Sequence, residues 1–215
     1  MNPVRHVLRR RAELFRRFDV RRQFEQIEES CVPSYLHHNA AAAAIAWWRL
    51  FVAVRFFRRF GAAGPALDFG AATGELGHLL GPEVFYEFVE IDEVLARTVT
   101  ETIPRAIRLR LEDLPARRYG TIFALDSLEH NENVPELVDR LVAALAPSGV
   151  LIVSGPSESA LYRLGRRLAG FHGHYHHTNI DDIECVIAAR MHRVGSTTVP
   201  IGIRLFSISA WKYPK

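Results

Sequence analysis

Cysteine is nearly missing from this 215-residue chain: only Cys31 and Cys185 occur, far apart and outside any Cys-x-x-Cys pattern. That excludes a disulfide framework and a structural zinc site, and makes a reducing cytoplasm the expected compartment. No uncharged apolar run reaches the eighteen or so residues that a membrane span needs. The N-terminus carries Arg5, Arg9, Arg10 and Arg11 without an apolar segment of signal-peptide type, so no secretory leader is expected. Lysine is scarce too, with only Lys212 and Lys215, an arginine bias that reads as genome composition rather than function. Internal repeats are lacking, and the only low-complexity stretch is Ala40–Ala44.

What is present suffices for one good core: 48% of the residues are hydrophobic. The charge is unevenly placed. Residues 1–60 hold twelve arginines against five acids, a net +7, so a total of +3 leaves −4 for the remainder. A basic arm ahead of a mildly acidic body suits phosphates or an anionic membrane, or else is a solvated helical surface.

Period and punctuation predict a charged helix over 5–29, a break at Val32-Pro33, and a second helix from Ala40 to Phe60 ending at Gly61. Short apolar runs then alternate with helical segments. Strands are expected near 66–69, 85–91, 107–111, 121–125 and 149–154, and helices near 75–80, 93–102 and 134–146. This alternation predicts a parallel sheet with helices on both faces. A further helix near 179–191 precedes two strands, Val194–Ile201 and Ile203–Ala210, split only by Gly202. So tight a join requires an antiparallel hairpin.

The stretch "ALDFGAATGELGHLL", residues 66–80, carries the chemistry. Gly70 and Gly74 follow a strand and open a helix, which lets a ligand approach bare backbone at the carboxyl end of the sheet. A dinucleotide fingerprint would need glycine at 72 and 75, where Ala72 and Glu75 stand. The carboxylate at 75 would meet a pyrophosphate at the helix N-terminus, which disfavours a dinucleotide. Asp68 suits a ligand with a cationic amino group. Twenty residues beyond Gly70, "EFVEIDEV" brings Glu90 and Asp92 to a strand end, where a carboxylate can accept from both ribose hydroxyls. Glu90 is favoured, because Asp92 can instead cap the next helix.

These residues resemble class I S-adenosylmethionine-dependent methyltransferases. "LDFGAATGELG" looks like their first motif with Ala72 for the middle glycine, and "VEIDEVLAR" is similar to their ribose-binding strand. Residues 111–158 look like the third to fifth strands of the branch called type 11. The resemblance covers roughly residues 64–210. It implies an α/β fold: a doubly wound, mostly parallel seven-stranded Rossmann-like sheet with an antiparallel C-terminal hairpin. Residues 1–62 would form a helical cap and 63–215 the cofactor-binding domain. The implied cofactor is S-adenosylmethionine, held by Asp68, Phe69, Gly70, Ala71, Ala72, Gly74, Glu90, Ile91, Asp92, Leu114, Leu125 and Asp126. Arg110 stands where that branch commonly has an acid near the adenine, so Glu112 and Asp113 are the candidates for that role.

Methyl transfer depends on positioning, plus a base where the nucleophile must lose a proton. His130, in "LDSLEHNEN" past the fourth strand, is the candidate base, or else packs structurally. The chain lacks the Asn/Asp-Pro-Pro-aromatic motif of base-amino methyltransferases. A small-molecule or lipid-like acceptor methylated at oxygen or carbon is therefore expected rather than nucleic acid. The alternatives are a non-catalytic cofactor-binding or assembly module that retains the fold, and an RNA methyltransferase that sets its basic arm on phosphates. The "FHGHYHH" segment offers His174, His176 and His177 as substrate-pocket residues, with no companion acid or cysteine to make a metal site. An arginine-rich insert beginning at Ser157 (Arg163, Arg166, Arg167) can act as a lid.

On the second helix Trp47, Leu50, Val54 and Phe57 form a core-facing stripe, while Trp48, Phe51, Val52 and Phe56 fall among arginines. The second set needs its own cover: the first helix, an acceptor, a second copy, or a membrane interface, so the protein can be peripheral to a membrane. Removing residues 1–30 is expected to leave the cofactor site intact.

Overall fold

The structure, a computed structural model, describes residues 2–20, 27, 30–157 and 178–214. Among the described residues it opens with α1 (Pro3–Arg17), α2 (Val32–Tyr35) and α3 (Ala40–Phe60). Then come β1 (Ala66–Phe69), α4 (Glu75–Leu80), β2 (Tyr86–Val89), α5 (Glu93–Thr102) and β3 (Ile107–Arg108). The chain continues with β4 (Tyr119–Leu125), α6 (Val134–Ala144), β5 (Leu145–Pro156), α7 (Ile180–Ala188), β6 (His192–Val199) and β7 (Phe206–Lys212).

The seven strands lie in one sheet in the order β3-β2-β1-β4-β5-β7-β6. Pairs β3–β2, β2–β1, β1–β4 and β4–β5 are parallel, and β7 pairs antiparallel with both β5 and β6. The expected doubly wound sheet with its antiparallel hairpin is therefore present. β1, β2 and β4 are buried throughout, because helices cover both faces of the parallel portion. Alternation divides their side chains. Ala66, Tyr86, Phe88 and Phe123 join a core with α3, α4 and α5. Leu67, Phe69, Val89 and Ile122 join a second core with α6 and α7. The first core takes in residues from Leu14 of α1 to Ala210 of β7.

Several element bounds differ from the sequence reading. The first helix stops at Arg17, where Phe18 turns to extended backbone (φ −120°, ψ 119°) and buries its ring; tertiary burial ends it without Pro or Gly. The strand expected over 107–111 pairs only at Ile107 and Arg108, and Leu111–Asp113 forms a 3-10 turn. The hairpin loop spans six residues, 200–205, not Gly202 alone. Ile201 and Ile203, apolar and β-branched, sit exposed in that turn.

α3 passes for a membrane span by length and composition, yet its buried arc is wide enough to meet several partners in the fold. Phe57 packs on Phe123 of β4 (ring centroids 5.8 Å apart), while Trp47 meets Tyr35 at 5.1 Å and His6 of α1 at 6.2 Å. Phe60 abuts Gly195 of β6, where a Cβ would lie 2.6 Å from its ring. Val52 and Phe56, expected to need a separate cover, are buried in the core shared with the sheet; Trp48 remains partly exposed.

Candidate functional site

The carboxyl ends of β1, β2 and β4 meet where the strand order reverses, the place at which doubly wound sheets bind ligands. The turn after β1 is held by alternating left-handed residues: Gly70 (φ 74°), Ala72 (φ 47°) and Gly74 (φ 77°). Ala72 is the departure from the family's glycine, and it adopts the glycine-like dihedral nonetheless, at a cost of about 1–2 kcal/mol. A Cβ on Gly70 would lie 2.5 Å from Cβ of Ser127, so this glycine is required by the protein's own loop after β4, not only by a ligand. Gly70 and Ala71 donate their backbone N–H groups to the Val89 carbonyl at 2.9 and 3.2 Å, which ties the turn to β2.

Glu90 stands just beyond β2. Its carboxylate accepts from the Ala72 N–H at 2.8 Å and the Asp92 N–H at 3.0 Å, so it orders the glycine turn and the start of α5 together. Burial raises its pKa, and the backbone donors from Asp92 and Ala72 pull it back. Asp92 caps α5, accepting from Val94 and Leu95. Between them Ile91 is 91% exposed, an apolar side chain offered to whatever lies over this strand end. Asp68 is buried, and burial pushes its carboxyl up to about 7 although the Tyr86 hydroxyl donates to it at 2.6 Å. Phe69 and Leu125 are buried, and Leu114 is half-buried behind the 3-10 turn. Glu112 and Asp113 are exposed on that turn.

Asp126 (φ 51°) follows β4 and is claimed from the other side. The Arg49 guanidinium of α3 pairs with it at 2.7 Å, and the Ser154 hydroxyl of β5 donates to it at 3.2 Å. Arg49 also lies 4.0 Å over the ring of Phe206. His130 ends a second 3-10 turn (Leu128–His130), half-buried, next to the fully buried Glu129. His174, His176 and His177, and the insert with Arg163, Arg166 and Arg167, lie outside the described residues. Among the described residues no group of histidine, cysteine and carboxylate side chains is placed to hold a metal.

Two assumptions made from the sequence are corrected. Glu75 does not face the mouth of the turn. It is buried and takes two bonds from Arg10 of α1, at 2.9 and 2.6 Å, so its charge is no argument against a pyrophosphate. For the same reason the cofactor turn is not independent of the N-terminus, since removing residues 1–30 would strip Glu75 of its partner. Arg10 and Arg49 were not singled out from the sequence. The signal for Arg49 was its place inside the apolar run Trp47–Val54, where a lone charge needs a buried partner. Nothing local marked Arg10, whose partner is 65 residues away.

The residues present fit S-adenosylmethionine on two observations. Glu90 stands at the edge of the turn with a carboxylate of the kind ribose hydroxyls need, and the Ser127 hydroxyl against Gly70 is buried with no hydrogen-bond partner. The strand order, the antiparallel last pair and this site define a class I methyltransferase fold. Residues 35–190 match the family described as a methyltransferase domain, and the chain belongs to that family, whose cofactor is S-adenosylmethionine. Solved structures agree on the fold. The N-methyltransferase NodS from Bradyrhizobium japonicum WM9, in complex with S-adenosyl-L-homocysteine, is 16% identical with a TM-score of 0.65, over 80% of this chain and 88% of that one. The PH0226 protein from Pyrococcus horikoshii OT3 is 14% identical with a TM-score of 0.66, over 85% and 96%. Magnesium protoporphyrin IX methyltransferase (ChlM) from Synechocystis PCC 6803, with bound S-adenosyl-L-homocysteine, is 16% identical with a TM-score of 0.61, over 82% and 88%. No curated protein matches the chain.

Proposed function

We propose that the chain transfers a methyl group from S-adenosylmethionine to an oxygen or carbon of a small or lipid-like acceptor seated between α3 and the carboxyl edge of β4 and β5. The observation that carries this reading is the Arg49–Asp126 pair, which brings the N-terminal helices onto the loop directly after β4. When bound, the cofactor supplies an electrophilic methyl on a sulfonium. In this reading Glu90 takes the ribose hydroxyls with its remaining lone pairs, Ile91 lies against the adenine, and Asp68 accepts from the amino group. Glu112 or Asp113, both exposed, takes the adenine edge. Asp126 and Ser127 line the cofactor pocket where it opens to the acceptor, and His130 removes a proton where the nucleophile carries one. Arg10 and Arg49 spend their guanidinium groups in ion pairs inside the fold and Arg11 on the Tyr35 and His37 carbonyls, which supports a non-nucleic-acid substrate.

Calorimetry with S-adenosylhomocysteine, followed by labelled-methyl transfer to panels of phenols, carboxylic acids and lipid quinol analogues, tests the reading. Micromolar binding with turnover on one class is expected, and His130→Ala should lower kcat about 10²–10⁴-fold if His130 is the base. Micromolar binding without turnover on any acceptor would instead favour a non-catalytic module that has kept the fold.

A further inference from the structure

Among the described residues the outer face of α1 stays exposed. Val4, Leu8 and Phe15 are 67%, 63% and 53% exposed, and their spacing places them in one stripe along the helix. Arg5, Arg9 and Arg16 border that stripe on one side, all exposed. On the other side Arg11 passes 5.5 Å from the Phe15 ring centroid and turns its guanidinium to the Tyr35 and His37 carbonyls, so the exposed cationic border is that of Arg5, Arg9 and Arg16. Among the described residues of α1 the single acid is Glu13, which pairs with buried Arg10 and lies 4.0 Å from Arg9. The inner face is fixed: Leu14, His6 and Arg10 are buried, and Arg10 is locked to Glu75. The helix is therefore held in place with an apolar row and a cationic border facing out.

The geometry points to an anionic lipid surface as the occupant of this face. A helix lying in the plane of a membrane buries an apolar row at the headgroup boundary, and its arginines meet the lipid phosphates. Three exposed arginines against one acid that is shared with buried Arg10, beside an apolar row free of carboxylates, fit anionic headgroups. The arrangement holds whatever acceptor is methylated, and it moves the membrane-facing surface from the helix over residues 40–60 to α1.

The test is sedimentation of the full chain with phosphatidylcholine vesicles, with and without phosphatidylglycerol, at low and high salt. Association with the anionic vesicles, at least tenfold stronger than with neutral ones and weakened by salt, is expected. The variant Leu8→Glu with Phe15→Glu should lose at least tenfold in both cases. The variant Arg5→Gln, Arg9→Gln, Arg16→Gln should lose only the anionic preference. Both should keep the parent's circular dichroism and its affinity for S-adenosylhomocysteine. Failure of the parent chain to associate with anionic vesicles at low salt overturns the proposal, as does unchanged association of the Leu8/Phe15 variant. A vesicle-independent dimer that Leu8→Glu dissolves also overturns it, and assigns the face to a second copy.

Discussion

At Glu90 one carboxylate serves two backbone N–H donors of the protein as well as the ribose hydroxyls assigned to it. Removing it loosens the glycine turn before any ligand arrives, so its loss costs more than the ligand bonds alone. Hydrogen bonds to a charged group are worth about 1.5–3 kcal/mol, and Glu90→Ala should weaken S-adenosylhomocysteine binding tenfold or more by calorimetry. Asp92→Ala, which removes only the cap of α5, should cost stability of about 0.5–2 kcal/mol with a smaller change in affinity. The reverse ranking would move the ribose role to Asp92. Glu90 and Asp92 were both legible in the sequence because a strand of period two followed by a helix start fixes where acids can stand. The Ser127 hydroxyl facing Gly70 was not legible, because its meaning comes from a loop 57 residues downstream of the glycine.

Helices and strands were read correctly where their boundaries have local causes. Asn39 caps α3 and Asp92 caps α5 through their own side chains, and Pro135 lies in the first turn of α6. Bounds failed where a distant contact decides. Phe18 ends α1 by burying its ring, and β3 is short because it is an edge strand whose partner β2 supplies only two positions. The same contrast governs the α1–α4 junction, where Arg10 and Glu75 form a buried charge pair. Breaking one side of such a pair costs about 3–5 kcal/mol. Arg10→Met should therefore destabilise the protein by that amount in denaturant unfolding and weaken S-adenosylhomocysteine binding. Pairing it with Glu75→Leu should restore most of the stability. An Arg10→Met protein as stable as its parent would mean that water reaches the Glu75 carboxylate.

For the whole molecule two buried groups pull the pH dependence of stability in opposite directions. The Asp68 carboxyl holds its proton up to about 7 in the fold, against 3.8 when exposed. Its contribution is full below 3.8 and is lost as the pH rises to about 7. His78 is lowered to about 3 from 6.5, first by burial and then by Arg10 and His6. Its contribution is full above 6.5 and is lost as the pH falls toward 3. Between about pH 4 and 6.5 the two contributions nearly cancel, and the cofactor-free protein should lose melting temperature between about 6.5 and 7, where only Asp68 still titrates. Asp68→Asn should flatten that slope in thermal unfolding followed by circular dichroism, and parallel curves for variant and parent would remove Asp68 from the account.

The insertion of β7 between β5 and β6 bears on how the protein is made. As the ribosome releases the chain, β6 emerges before β7, yet β7 is its only neighbour in the sheet. Until Phe206–Lys212 arrive, the nascent chain carries β5 with an open hydrogen-bonding edge over the apolar run Val150–Val153. An unpaired apolar edge of that kind recruits other strands, so the interval between the two syntheses is when this protein is most exposed to aggregation and to chaperones.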